Sequence, residues 1–393
     1  MFWPLMQDAI LDEDKKVLIE FIKSSTKFTN GSKVREFELQ WSQWVGVDYS
    51  VFVSSGSCAN FILISAIKEK FGIKNGDKII LPMCTWATTI APVIQLGLNP
   101  IFCDINVYDF SFSIEKLKSI AKKHEDIKIV FVTHLLGIPA NIELYKEIFP
   151  NSIFIEDACE SHGAICSNGK KAGACSFSST FSFFYGHHMT CVEGGMVCTN
   201  DFEMYDILLS KRSHGMAREC VPESFKKYAE QYPDIDPRFL FITDGFNFRN
   251  NEIFAVLGLS QLKRLDKNNE IRKQNYKQFI DIISQYDFFE IPKIDGNCSF
   301  CFPFVVKDIK LKNRLMQRMK IDGIETRPII SGNILRQPFL SKYKKDYIDK
   351  DIVANYVHNN GFYIGNNQFI NSKKMNFLKD LINDEISSHN KDK

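Results

Sequence analysis

Two adjacent histidines, His187 and His188, stand between a phenylalanine-rich run and a Glu-Gly-Gly turn that begins at Glu193. Ser182 precedes His187 by five residues. An imidazole ionises near neutral pH, so it can take a proton from one atom and return it to another. It cannot form an imine with an aldehyde, which a lysine amine can. The segment therefore indicates acid–base chemistry by one of the two imidazoles.

Three further candidate groups follow apolar runs that we predict to be strands. The turn at Gly56 and Ser57 opens a helical pattern, and its small residues let backbone N–H groups approach an anion, although an ordinary helix cap by Ser57 would use the same residue types. Trp86 offers a flat ring for stacking or for a core. Asp157 ends its run with a carboxylate that could serve a ligand or cap a helix. In an open parallel sheet, functional groups gather at such strand ends.

Short apolar runs alternate with helical patterns over the first two-thirds of the chain, which is typical of an α/β fold. The predicted strands cover residues 51–54, 78–82, 100–104, 128–133, 152–156, 180–184 and 196–199. Helices are predicted at 59–71 and 114–124, and a long amphipathic segment over 250–276 leads into a smaller C-terminal domain. We therefore predict a large domain over residues 1–250, N-terminal segment included, and a linking helix with a small domain over 251–393. The polar tail after Glu385 is predicted to be frayed.

Composition and charge exclude several classes of partner. The chain has 393 residues, enough for two domains, and 45% of them are hydrophobic. Its 49 basic and 47 acidic residues are dispersed and give a net charge of +2, which argues against nucleic-acid binding. No apolar run reaches the length of a membrane span, and the N-terminus lacks the pattern of a signal peptide. We expect a cytoplasmic protein that binds neither nucleic acid nor membrane.

The 11 cysteines are scattered along the chain and odd in number, which favours reduced thiols over a disulfide scaffold. Cys298 and Cys301 form the one CxxC pair. A structural metal site needs more ligands than this pair supplies, so no metal site is predicted.

The motifs together resemble those of the DegT/DnrJ/StrS sugar aminotransferases, which use pyridoxal phosphate (PLP). The resemblance runs almost end to end and includes the segments 28–31, 53–60, 134–139, 156–163, 181–195, 326–333 and 357–366. It implies the PLP-dependent aspartate aminotransferase fold (type I), with a large, mostly parallel seven-stranded sheet domain and a smaller C-terminal α/β domain. His187 occupies the place of the family's Schiff-base lysine, so the resemblance implies a cofactor that is held noncovalently.

The resemblance also implies roles for individual residues. The implied cofactor contacts are Gly56, Ser57 and Ser182 at the phosphate, Trp86 against the ring, Asp157 at the pyridinium nitrogen, and Glu160 in the same pocket. Asn247 is implied to reach the phosphate of a neighbouring subunit, and hence a homodimer with shared active sites, although the sequence by itself places it in a turn. Further matches imply candidate substrate contacts at five residues: His188, His214, Arg218, Arg327 and Asn333. Arg327 could instead hold the small domain together.

Within this family, a histidine pair in the lysine position marks sugar 3-dehydratases. The resemblance implies that PLP accepts an amino group from L-glutamate to give pyridoxamine phosphate (PMP). His187, neutral near pH 7 with a pKa close to its intrinsic value, then helps to remove the C3 hydroxyl of a nucleotide-linked 4-keto-6-deoxysugar. The implied substrate is GDP-4-keto-6-deoxymannose, with a GDP-4-keto-6-deoxyheptose as the alternative, and ammonia is released.

Three alternatives differ in what they require of the chain. A branch that carries an iron–sulfur cluster needs about four thiolates, and only Cys220 lies within residues 214–245, so we expect no iron–sulfur reductase partner. A true aminotransferase needs a lysine, but Lys170, Lys171 and Lys211 lie outside the motif. A PLP-binding sensor without catalysis leaves the retained cofactor residues unexplained.

Overall fold

Strands and helices alternate from Tyr49 to Asp157, as the apolar runs predict, and two more strands follow up to Thr199 without a helix between them in the described part of the chain. The computed structural model describes residues 2–7, 10–344 and 352–391. The helices are α1 (Asp12–Ser24), α2 (Ser32–Val45), α3 (Gly56–Lys70), α4 (Ala87–Gln95), α5 (Ile114–Lys123), α6 (Ile142–Ile148), α7 (Phe202–Arg212), α8 (Pro222–Gln231), α9 (Glu252–Ile283), α10 (Ile309–Ile321), α11 (Val353–Asn360) and α12 (Ser372–Lys391). The strands are β1 (Tyr49–Val53), β2 (Lys78–Pro82), β3 (Asn99–Cys103), β4 (Ile127–Thr133), β5 (Ile153–Asp157), β6 (Ser178–Ser182), β7 (Gly195–Thr199), β8 (Phe289–Glu290), β9 (Cys301–Val306), β10 (Thr326–Arg327) and β11 (Gly361–Gly365).

The large sheet has the strand order β1-β7-β6-β5-β4-β2-β3. Strands β6, β5, β4, β2 and β3 are parallel, and β7 runs antiparallel between β6 and β1. All seven predicted strands are present, each within two residues of its predicted bounds. Thr133 pairs with Asp157 in register, and Ser182 ends the next strand. These three side chains therefore lie at one edge of the sheet, where functional groups gather.

Both faces of the large sheet are covered, which is why its strands are continuous apolar runs rather than alternating ones. In β2, Ile79 and Leu81 pack into one core cluster, and Ile80 packs into the cluster on the other face. All three side chains are fully buried. The sheet is thus a rigid platform for the residues at its edge.

The second sheet is antiparallel, with the order β10-β11-β9-β8. Helix α9 joins the two sheets, because its first half packs in the large-sheet core and its second half in the small-sheet core. The predicted large domain includes the N-terminal segment, and Trp3 at the start of that segment contacts the small sheet. The Trp3 N–H donates to the Gly323 carbonyl at 2.9 Å, and the buried Trp3 ring packs beside Phe302. The domain boundary at residue 250 stays a prediction.

The tail after Glu385 also differs from the sequence-based expectation. Helix α12 continues to Lys391. Ile386 is buried in the small-sheet core, and His389 Nε2 lies 3.0 Å from Asp308 Oδ2. These contacts hold a segment whose composition alone is polar. No helix in the described ranges combines the length and the apolar character that a membrane span needs.

Candidate active site

A cleft of about 570 Å³ opens where the carboxyl ends of the large-sheet strands face the small sheet. It brings together eight residues that the sequence singled out: Gly56, Ser57, Trp86, Asp157, Glu160, Ser182, His187 and Arg327. Five others do not line it within the described parts of the chain: His188, His214, Arg218, Asn247 and Asn333. The predicted cofactor contacts thus meet in one place, except for Asn247.

The Asp157 carboxylate is held by three donors. Asn60 Nδ2 and Thr89 Oγ1 donate to its Oδ2 at 3.0 and 2.9 Å. The Cys159 N–H donates to its Oδ1 at 3.1 Å. Because the carboxylate is buried, these hydrogen bonds offset its lost hydration, and they fix the direction in which it faces the cleft. A carboxylate so fixed is suited to pair with a protonated ring nitrogen.

Asn60 and Thr89 are functional residues that the sequence analysis missed. Asn60 lies one helical turn after Gly56 in α3, and Thr89 lies in the first turn of α4. Both side chains are buried. A buried polar side chain requires a hydrogen-bond partner. The polar character of Asn60 and Thr89 is therefore the one signal in the sequence that could have indicated their role. The partner itself, Asp157, is defined only by the fold.

Glycine is required where α3 begins, because the turn touches the neighbouring strands. A Cβ added to Gly56 would lie 2.6 Å from Ser182 Cβ. A Cβ added to Gly195 would lie 2.2 Å from the carbonyl oxygen of Ser55. The Ser-Gly-Ser turn and the Glu-Gly-Gly turn are therefore two sides of one close backbone junction.

The start of α3 is an anion site of the kind that helix N-termini provide. Ser55 is the helix cap, because its Oγ accepts the Cys58 N–H at 3.1 Å. The alternative of a cap by Ser57 is thereby excluded, and the exposed Ser57 side chain lies at the cleft with Ser182. The first N–H groups of a helix lack intrahelical acceptors and the helix dipole favours an anion, so this turn fits a phosphate.

His187 presents its half-buried ring to the cleft. Its Nδ1 is buried with no hydrogen-bond partner among the described residues, and Phe300 packs against the ring with 6.2 Å between centroids. Burial lowers the pKa of His187 to about 4. This pKa lies below the near-intrinsic value that we expected, because the enclosed ring is poorly hydrated. The imidazole is therefore neutral at pH 7, and in that form it can accept a proton.

His188 points away from the cleft. Its Nε2 lies 2.6 Å from the carbonyl oxygen of Cys298, and because a carbonyl oxygen can only accept, Nε2 carries the proton. The ring is buried beside His162, with 5.2 Å between centroids. Burial and then the charge of Arg272 lower the pKa of His188 well below its usual range. The structure does not place His188 where the sequence analysis expected a substrate contact.

Glu160 lies in the cleft near Asp157. Its Oε2 accepts the Leu136 N–H at 2.8 Å. Burial, opposed by this hydrogen bond and aided by the charge of Asp157, raises the pKa of Glu160 to about 7. Glu160 can therefore hold or release a proton near neutral pH.

Trp86 and Arg327 both line the cleft. Trp86 precedes α4, and 58% of its surface is exposed, so a ring face is available to a ligand. Arg327 Nη2 lies 2.8 Å from Glu325 Oε1 while the side chain also lines the cleft. The position of Arg327 is thus compatible with a substrate contact and also with a role in holding the small domain together. Within the described residues, no lysine lines the cleft.

His214, Arg218 and Asn247 lie on a separate part of the surface. His214 Nε2 is 3.3 Å from Arg249 Nη2, and Arg249 Nε donates to Asn247 Oδ1 at 3.2 Å. Arg218 Nη1 donates to the carbonyl oxygen of Arg238 at 2.9 Å. These residues do not reach the cleft of their own chain.

Asn333 is buried. Its Oδ1 accepts the Leu335 N–H at 3.0 Å, and its Nδ2 donates to Asn355 Oδ1 at 2.9 Å. Both ends of the amide are therefore engaged within the C-terminal part of the chain. The sequence pattern could not reveal this, because residue 355 is distant along the chain.

One cluster of potential metal ligands is present among the described residues: His134, Glu156 and Cys166, whose ligand atoms lie within 4.8 Å of one another. His134 Nε2 is 2.8 Å from Glu156 Oε2, and its Nδ1 accepts the Ala140 N–H at 3.0 Å. Glu156 accepts three more hydrogen bonds, from Gly173, Cys175 and Ser176. The pair is thus saturated with hydrogen bonds, and it stabilises the end of β5 next to Asp157.

Comparison with known proteins assigns this architecture. The family model of the DegT/DnrJ/EryC1/StrS aminotransferase family matches residues 9–365. The chain belongs to this family. A similar DegT/DnrJ/EryC1/StrS protein is the GDP-4-keto-6-deoxy-D-mannose 3-dehydratase of Yersinia pseudotuberculosis, which is 37% identical over 385 residues, or 95% of each chain.

Two solved structures of similar DegT/DnrJ/EryC1/StrS members carry PLP or a PLP adduct. The GDP-4-keto-6-deoxy-D-mannose 3-dehydratase of E. coli with bound hydrated PLP has a TM-score of 0.89 and 33% identity, covering 97% of this chain and 99% of that one. A GDP-4-keto-6-deoxymannose 3-dehydratase with a trapped PLP–glutamate geminal diamine has a TM-score of 0.88 and 32% identity, covering 97% and 100%. The type I fold predicted from the sequence is therefore confirmed. The anion site at α3, the fixed Asp157 carboxylate and the Trp86 ring also fit PLP by their own chemistry.

Proposed function

We propose that the chain removes the C3 hydroxyl of GDP-4-keto-6-deoxymannose to give GDP-4-keto-3,6-dideoxymannose, with L-glutamate as amino donor and ammonia as a product. The observation that carries this proposal is His187, an imidazole facing a PLP-type cleft in which no described residue is a lysine. Relatives of this function, one with a PLP–glutamate adduct, support the substrate and the donor. A GDP-4-keto-6-deoxyheptose would make the same chemical demands.

Different residues of the cleft would bind different parts of the cofactor. Gly56, Ser57 and Ser182 would hold the phosphate of the cofactor, and Trp86 would cover its ring. Asp157 would pair with the ring nitrogen and keep it protonated. When bound, the cofactor would supply a ring that accepts electrons and, in its amine form PMP, an amino group for the ketone of the sugar. Since no lysine lines the cleft among the described residues, these noncovalent contacts would hold the cofactor.

His187 would move the proton. Its neutral imidazole accepts a proton from carbon at the reacting centre, since burial disfavours the charged form at rest. The imidazolium that results is a strong acid for the same reason, so it readily gives its proton to the departing C3 hydroxyl. Hydroxide is a poor leaving group, and this protonation lets it leave as water. One side chain thus serves both steps.

We also propose a homodimer with shared active sites. Asn247 is exposed and lies outside the cleft of its own chain, and the large apolar side chains of Phe239 and Phe241, which precede it in the sequence, are also exposed. A second copy would cover these side chains and receive Asn247 at its phosphate site. The test is to mix the two variants His187→Asn and Asn247→Ala, since a mixed dimer would contain one intact site and regain activity. Two variants that stay inactive when mixed, despite subunit exchange, would contradict shared sites.

A product assay separates the proposed function from its alternatives. Protein, PLP, L-glutamate and GDP-4-keto-6-deoxymannose should yield ammonia and a sugar nucleotide lighter by one oxygen. An aminosugar product would indicate transamination, and the absence of turnover with hexose and heptose substrates would favour a sensor. We further propose that the enzyme works in the cytoplasm, a compartment that fits its 11 cysteines, all of them free thiols.

A further inference from the structure

A buried arginine without a carboxylate partner lies behind the histidine turn. Arg272, on α9, is 3% exposed. Its Nη2 donates to the carbonyl oxygen of His188 at 3.2 Å and to Gln368 Oε1 at 3.1 Å, and its Nη1 donates to Asn269 Oδ1 at 3.4 Å. None of these partners, among the described residues, is charged. A guanidinium buried in this way is costly, which indicates a task that a neutral side chain would not perform.

His188 is held from a second direction as well. Its Nε2 donates to the Cys298 carbonyl at 2.6 Å, and the Cys298 N–H donates to the Gly137 carbonyl at 2.9 Å. A Cβ added to Gly137 would lie 2.2 Å from the Cys298 oxygen, so the two backbones are in direct contact. The carbonyl and the ring of His188 are thus fixed by two different segments of the chain.

We propose that Arg272 and His188 form a clamp that positions His187 for proton transfer, an inference that rests on the proposed function of His187. The two histidines are adjacent, so fixing the ring and the carbonyl of His188 restricts the backbone that carries His187. The His187 N–H is also bound, to the Phe184 carbonyl at 3.1 Å. In addition, burial lowers the pKa of His162 and of His188, and the charge of Arg272 lowers both further, so neither buried ring holds an extra proton. His187 is then the imidazole of this group that faces the cleft and can exchange a proton there.

The first test compares Arg272→Met with Lys273→Met. Lys273 is the next residue of the same helix, and its Nζ pairs at the surface with Glu270 at 2.8 Å, so its variant controls for loss of a charge on α9. In Arg272→Met, kcat should fall about 10- to 100-fold, as expected for a slightly misplaced catalytic group. KM for the sugar should change less than about threefold, because positioning acts on the reaction more than on ground-state binding. Lys273→Met should keep both constants.

A second readout does not depend on turnover. Diethyl pyrocarbonate acylates accessible imidazoles, and mass spectrometry of the apoprotein gives a rate for each histidine. His188 should react about tenfold faster in Arg272→Met than in the wild type, the effect of losing one hydrogen bond from a charged group. It should not react faster in Lys273→Met. Arg272→Met loses the hydrogen bonds of the guanidinium but also removes the cost of burying its charge. Because these effects oppose each other, the Tm should change by less than about 5 °C.

His188 itself offers a conservative rescue. A glutamine at this position can donate to the Cys298 carbonyl, but a leucine cannot. The clamp predicts that His188→Gln keeps most of kcat and that His188→Leu behaves like Arg272→Met. Equal activity of the Gln and Leu variants, or wild-type kcat and unchanged His188 reactivity in Arg272→Met, would overturn the clamp. A wild-type enzyme without dehydratase activity would instead overturn the proposed function, and the acylation rates would still decide whether His188 is clamped.

Discussion

Gly56→Ala tests whether the close junction of α3 with β6 builds the cofactor phosphate site. The added methyl carbon would stand 2.6 Å from Ser182 Cβ, 3.0 Å from Ser182 Oγ and 3.2 Å from Cys159 Sγ. Carbon atoms pack at about 3.5 to 4.0 Å. Ser182 Cβ is bonded directly to the backbone, so it cannot rotate away from the new methyl group. The start of α3 or the end of β6 must therefore move by about 1 Å.

Two effects of this shift oppose each other in the folding free energy. Overpacking a tight interior site costs about 1–3 kcal/mol. Alanine is favoured over glycine in a helix by up to about 1 kcal/mol, and by less at the first helical position. We expect a net destabilisation of about 1–2 kcal/mol, together with a displaced set of N–H groups at the phosphate site. PLP affinity should fall at least about tenfold, which corresponds to about 1.4 kcal/mol.

PLP titration followed by absorbance measures the affinity, and urea unfolding of the apoprotein measures the stability. The double variant Gly56→Ala/Ser182→Gly removes the carbon that the new methyl group meets. It should regain part of the stability but not the affinity, because the Ser182 hydroxyl is lost. Wild-type affinity and stability in Gly56→Ala would show that this junction does not build the phosphate site.

Two further predictions concern the carboxylates of the cleft. Asp157→Asn keeps the shape of the side chain but removes its charge, so kcat at saturating PLP should fall at least about 100-fold, as for other losses of a preorganised charge; an Asn variant with wild-type kcat would contradict the ion pair. Glu160 has a pKa raised to about 7 in the fold against an ordinary value of 4.5. Between these values the unfolded chain loses a proton that the folded apoprotein keeps, so stability falls as pH rises from about 4.5 to about 7. In Glu160→Gln this contribution is absent, and the Tm of the variant relative to wild type should rise over that interval and level off above it; a constant difference would show that Glu160 is not perturbed.

Much of the fold could be predicted because the sequence patterns that define its strands and helices lie within short segments of the chain. Each large-sheet strand is a short apolar run between turn or helix signals, and Asp157 stands at the end of such a run. Because parallel strands end at one edge, the sequence predicts that Asp157 lies where functional groups gather. Ser182 falls inside the predicted strand 180–184, and only the fold shows that β6 ends at this residue, beside Asp157. Gly56 and Gly195 belong to motifs that the sequence shows, the Ser-Gly-Ser turn and the Glu-Gly-Gly turn. The reason why glycine is required there is a contact between segments that are distant along the chain.

The remaining features depend on contacts between distant parts of the chain. His187 and His188 are identical in type and adjacent, yet one ring faces the cleft and the other a carbonyl at Cys298. Asn333 looks like a ligand residue but bonds Asn355. Trp3 packs on the small sheet although it is far from it along the chain. The enclosed environment that lowers the pKa of His187 arises in the same way.

The variant His187→Asn shows whether the imidazole in the cleft moves the proton. The amide has nearly the shape of the imidazole but cannot accept and return a proton near pH 7. His124→Asn, at the end of α5 and outside the cleft, is the matched control. His187→Asn should bind PLP within about threefold of wild type, while C3 deoxygenation measured by mass should fall at least about 100-fold, the scale of general acid–base catalysis. Turnover of His187→Asn equal to that of wild type and of His124→Asn would contradict this role of the imidazole.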